Sequence, residues 1–132
     1  MIRPQAVVLP LLKSALPGVQ VVSVIPDVDH RQLPLVHVQR VGGVRNVDMP
    51  SGHSRPVVRV TAASDEGLIE AEELYEGALE ALYSAVRAQQ MVPGVGHLQS
   101  ISEVSGPTEV PSGVPDVWAV GGTVQVALRS EA

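Results

Sequence analysis

Twenty-five valines run through this 132-residue chain, yet none falls from Thr61 through Ala85. That gap constrains the fold more than any other feature. Valine branches at Cβ and is stiff at χ1, which suits a pleated strand better than a helix. The valine-rich segments therefore read as strands, and the gap, filled by Ala, Glu and Leu, reads as a long helix. Leu68, Ala71, Tyr75, Ala78, Leu82 and Val86 step by three or four residues into one apolar stripe, with Glu66, Glu70, Glu73, Glu76 and Glu80 on the opposite side. Ser64 is a candidate N-cap, and Asp65 and Glu66 set negative charge at the positive end of the helix dipole. Arg87 complements the other end, and Pro93-Gly94 closes the segment.

Alternation and chain breakers mark the remaining elements. Residues 33–43 join a period-two strand to a double glycine. Leu35, His37 and Gln39 fall on one face, Val36, Val38 and Arg40 on the other, and Gly42-Gly43 predicts an exposed turn. Further strands are expected at residues 19–25, ended by Pro26-Asp27, and at 57–62, with Val58 and Val60 opposite Val57, Arg59 and Thr61. Residues 95–104 alternate weakly, Leu98, Ser100 and Ser102 opposing His97, Gln99 and Ile101. Residues 117–128 form the last strand, in which Gly121-Gly122 signals a bulge or a close backbone approach. Pro4 suits the first turn of an N-terminal helix whose Val7, Val8, Leu11, Leu12 and Leu16 recur at helical spacing up to Pro17-Gly18. Pro10 removes one hydrogen bond inside it.

Residues 27–32 are a polar linker, and 42–56 and 105–116 read as loops. The first of these is long enough to be a binding or assembly segment. The whole predicts a single α+β domain over residues 1–132, with a mixed, largely antiparallel sheet of about four to five strands. The long helix and the short N-terminal helix cover one side of it.

Composition removes several kinds of chemistry. The chain lacks cysteine, which excludes disulfides and thiolate nucleophiles, and its net charge of −5 argues against duplex binding through a dense basic patch. No apolar run approaches the roughly 20 residues of a membrane span. Near the start, Arg3 precedes an apolar stretch as in a secretory signal, but Pro10 interrupts it and Ala15-Leu16-Pro17 is a poor cleavage site. His30, His37, His53 and His97 lack the tight spacing of a metal site with Asp27, Asp29 or Asp48, and no cofactor is expected. Asp27-Val28-Asp29-His30 reads as a solvated turn. The acidic helix face is a solvated surface or, alternatively, a negative wall facing DNA or a basic partner.

Taken in order, these segments resemble the tail terminator family of tailed bacteriophages. The matching pieces are the N-terminal helix with Leu16-Pro17-Gly18-Val19, the run Leu33-Pro34-Leu35-Val36-His37-Val38-Gln39-Arg40-Val41-Gly42-Gly43, the strand over 57–62 and the Ala-rich helix. Glu103-Val104-Ser105-Gly106-Pro107 and the final strand complete the match. Gly121-Gly122 departs from the bulkier residues expected there. The resemblance implies a non-enzymatic virion protein at the tail–neck junction, made in the host cytoplasm. It would form a homo-oligomeric ring, commonly a hexamer, that caps the tail tube. Its partners would be the major tail tube protein, the head–tail connector or neck proteins, and DNA passing through the channel without sequence-specific binding.

Within that family reading, Arg40, Gly42, Gly43, Arg45 and Asp48 are the candidate assembly residues, on the segment 42–56 and the strand end before it. Another neck protein, such as a stopper or head-completion protein, is the first alternative. A small metal-dependent hydrolase using His37, His53 and His97 is the second.

Overall fold

The valine-free segment forms helix α2, Leu68–Ala88, and the N-terminal apolar repeat forms α1, Pro4–Ala15. The structure is a computed structural model that describes residues 3–24, 32–45 and 53–130. Pro4 occupies the first turn of α1, where its missing N–H has no helical partner to lose, and Pro10 lies on the exposed side. Val7, Val8, Leu11 and Leu12 are buried, as their spacing predicts. The buried stripe of α2 is Ala71, Tyr75, Ala78, Leu79, Leu82 and Ala85.

Both ends of α2 differ from expectation. The N-cap is Gly67, not Ser64. Ser64 is buried at the end of a strand, and its Oγ accepts a hydrogen bond from the Glu66 backbone N–H at 3.1 Å, so it caps the turn before the helix. At the other end Gln89 takes the left-handed conformation and closes the helix before Pro93. The interval holds a two-residue strand.

The strands are β1 (Gln20–Val22), β2 (Leu35–Arg45), β3 (His53–Ser64), β4 (Met91–Val92), β5 (Gly96–Val110) and β6 (Trp118–Ser130). They lie side by side in the order β1-β2-β3-β6-β5-β4, with β1 and β2 parallel and every other pair antiparallel. The fold is α+β, with six strands instead of four to five. The two edge strands, three and two residues long, are too short to show an alternation. Val19 to Ile25 was expected as strand, but β1 stops at Val22 and Val24 is 76% exposed.

Register assigns the two faces of the sheet. Val36, Val38, Val58, Val60, Ala62, Val120, Val124, Val126 and Leu128 share one face and join the buried stripes of both helices in one core. Burying each Val or Leu there contributes about 1.5–3 kcal/mol relative to leaving it in water.

Breakers that predicted loops are absorbed inside strands. β2 runs through Gly42-Gly43 to Arg45 and β3 begins at His53, so most of the expected loop 42–56 is an antiparallel pair. Val41 is an extra residue between the pairs Arg40–Val58 and Gly42–Val57, a bulge that resets the register. Gly43 follows at φ +111° against the backbone of Arg55 and Pro56, where a Cβ has no room. Likewise β5 continues through Gly106-Pro107 to Val110, with shifts between Glu103 and Ser105 and between Ser105 and Thr108, leaving only 111–117 as a connection. A further shift at Gln99 overturns the predicted faces of this strand. Leu98 and Ile101 pair with Leu128 and Val126 on the helix side, and Ser100 and Ser102 turn to the other.

Gly121-Gly122 marks a close approach and not a bulge, since the β3–β6 register passes through both without a shift. A Cβ on Gly122 would collide with the Tyr75 hydroxyl and lie 3.0 Å from the Ser105 carbonyl oxygen. The glycine is the socket for the largest fully buried side chain of α2. The Tyr75 hydroxyl has no hydrogen-bond partner among the described residues. Burial, with smaller contributions from Glu103 and Tyr83, holds its pKa above the ordinary tyrosine value.

Candidate assembly surface

Both helices pack on one side of the sheet, and among the described residues no helix covers the other, bare face, which only the 111–117 connection approaches. Period two decides what it displays. The odd positions of β2, β3 and β6 bring Leu35, His37, Gln39, Arg55, Val57, Arg59, Thr61, Thr123, Gln125 and Arg129 to this face. Arg55, Arg59 and Arg129 are exposed there. Register sends Glu103 and Glu109 of β5, opposite Val124 and Val120, to the helix side, so no described strand places a carboxylate on the bare face.

Local contacts on the face are few. His37 Nε2 lies 3.0 Å from the Ser23 carbonyl oxygen, and the Ser105 and Thr123 hydroxyls are 2.7 Å apart. Leu33, Leu35, Val117 and Ala119 line an apolar hollow of about 70 Å³ beneath Pro111 and Ser112. Thr61, Arg59, Gln39 and Thr123 line a shallower groove beside it.

The helical side has the opposite charge. Asp65, Glu66, Glu70, Glu72, Glu73, Glu76 and Glu80 are all exposed along α2 and the turn before it, seven of the chain's 14 acidic residues. The ion pair recorded among the described residues, Arg87 to Glu80 at 2.9 Å, lies wholly on that helix. Arg55, Arg59 and Arg129 have no carboxylate within ion-pair distance among the described residues.

The residues singled out from sequence are only partly brought together. Arg40, half-buried, stands on the helix side opposite Val58 and its Nε donates to the Gly42 carbonyl at 3.3 Å. Gly42, Gly43 and Arg45 follow in the same strand, Arg45 pairing with Ser54. Asp48 and His30 lie outside the described residues. His37 and His97 sit on strands separated by two others, at least about 14 Å apart. Among the described residues no three His or carboxylate side chains gather. Arg59 was visible at its odd position in sequence. The bareness of its face was not, because that depends on where the helices pack.

Comparison with known proteins was consistent along the whole chain. A family model described as phage tail termination protein matches residues 1–132. The chain is 44% identical over 130 residues to the Gene 22 protein of Mycobacterium phage D29, covering 97% of this chain and 93% of that protein. It is 45% identical over 129 residues to the Gene 22 protein of Mycobacterium phage L5, covering 96% and 92%. Among solved structures, a chain of the virion of a native gene transfer agent particle aligns over 96% of this chain and 95% of that one, at 13% identity and a TM-score of 0.47.

Proposed function

The chain belongs to the phage tail termination protein family, and from that premise we propose that it closes the tail tube as a homo-oligomeric ring, stops tube polymerisation and joins the tail to the neck. The match of the family model over residues 1–132 carries this reading. The ring is a hexamer of single-domain subunits, seated on the last ring of tube protein on one side and on connector proteins on the other. DNA passes through its channel without sequence-specific contacts, which a net charge of −5 favours, since a basic wall would retard the duplex. Within the subunit, the segment 42–56 and the strand end before it, with Arg40, Gly42, Gly43, Arg45 and Asp48, contact the tube or a neighbouring subunit.

The test is a phage deleted for this gene, examined by electron microscopy. Tails longer than normal and unattached to heads are expected, with length and joining restored by the wild-type chain. Replacing residues 46–52 by a two-residue turn should fail to restore them. Tails of normal length in the deletion would refute the capping role. Binding of the purified chain to portal rings but not to tube ends would assign it instead to the stopper position.

A further inference from the structure

We propose that the bare face of the sheet receives helix α2 of a second copy of this chain, so that subunits associate head to tail through opposite charges. The inference takes its setting from the ring reading, but its chemistry comes from the charge distribution alone. Among the described residues one face presents Arg55, Arg59 and Arg129 without a carboxylate, and the opposite layer presents Glu70, Glu73 and Glu76 without a free cation on the same helix.

The dimensions agree. Arg55 and Arg59 are four residues apart on β3, about 13 Å, and Arg129 lies six residues along β6 from the partner of Arg59, about 20 Å away. On α2 the carboxylates from Glu70 to Glu80 span about 15 Å. A row of three cations can thus meet a row of carboxylates of similar length. Glu76 also has like charges at Glu72, Glu73 and Glu80, at i−4, i−3 and i+4, an arrangement that opposes the isolated helix and is relieved by a cationic partner.

The charges also select the symmetry. A contact of like face with like face would set arginines against arginines or glutamates against glutamates, whereas opposite faces attract. Each copy then uses one face as donor and the other as acceptor, a heterologous contact that propagates until rotation closes it into a ring. A nucleic acid fits the bare face less well. Duplex DNA carries a charge every ~1.7 Å, and three arginines spread over ~20 Å match that poorly.

Two charge-reversed proteins test this, R59E/R129E and E73R/E76R, first checked for wild-type circular dichroism and melting. Native mass spectrometry and sedimentation should show each alone assembling at least about tenfold more weakly than wild type. Mixed in equal amounts they should assemble again, since the sheet of each variant then matches the helix of the other. Normal assembly of either variant alone, or no recovery in the mixture, overturns the proposal. So does loss of duplex binding in R59E/R129E with self-association intact, which would give the face to DNA. If the wild-type chain stays monomeric in solution, the readout is tail length in the deleted phage, restored by co-expressing both variants and by neither alone; no restoration by the pair overturns it. Charge-dependent rings from a chain whose loss leaves tails normal would remove the capping role and keep this interface.

Discussion

Tyr75 and Gly122 set the tightest local fit between helix and sheet. A buried hydroxyl without a partner costs about 1–3 kcal/mol, so Tyr75→Phe, which keeps the ring, is expected to hold or raise stability at pH 7. The pH dependence has a definite sign. Because the folded pKa is raised, the unfolded chain loses this proton first, so stability is intact below the unfolded value near 10 and falls as pH rises through it toward the folded value. Urea midpoints measured from pH 8 to 11 should therefore decline less steeply for Tyr75→Phe than for wild type, and parallel declines would refute the assignment. Gly122, of the glycine pair that looked out of place in the final strand, is thus explained by a partner 47 residues earlier in the chain. No local sequence window contains that information.

At the scale of elements, α2 carries a conflict between stability and charge. Glu76→Gln removes three unfavourable like-charge neighbours and should stabilise the monomeric chain by about 0.5–1 kcal/mol, read as a higher melting temperature at low protein concentration. An unchanged or lower temperature would show that the row is not strained. Both helices were legible in sequence because their apolar period is local, and the stripe from Ala71 to Leu82 packs where that period puts it. Strand ends were not. Gly42-Gly43 and Gly106-Pro107 have the composition of turns, but the strands run on through them: after the extra residue Val41, Gly42 and Gly43 keep partners on β3, and the β5 ladder passes from Ser105 to Thr108 with a shift. Gln99 shows the cost of ignoring such insertions, since a single shift exchanges the side chains between faces until the next shift at Val104. The segment 42–56, read as a loop holding Arg45, is in part a paired strand, and the arginines of the bare face stood among ordinary strand residues until the packing of the helices singled them out.

For the whole molecule, the separation of charge matters more than the total. A chain of net −5 would be expected to repel copies of itself, yet Arg55, Arg59 and Arg129 share a face on which no described strand sets a carboxylate, while seven of the 14 acidic residues line α2 and the turn before it. Attraction between copies should then weaken as salt shortens the screening length from about 10 Å at 0.1 M to about 3 Å at 1 M. Sedimentation of the wild-type chain across that range should show smaller assemblies at high salt. Assemblies that grow with salt would point to an apolar contact instead, such as one seated on the hollow beside Leu35 and Val117.

The outer strand β5 adds a further consequence. β4 pairs with its first two residues, and beyond them its long exposed border carries three register shifts, Pro107, Glu103 and Glu109. Each of these obstructs the addition of a foreign strand. The chain is in this way guarded against fibrous aggregation, and its faces, not its outer edge, are the surfaces open to another copy.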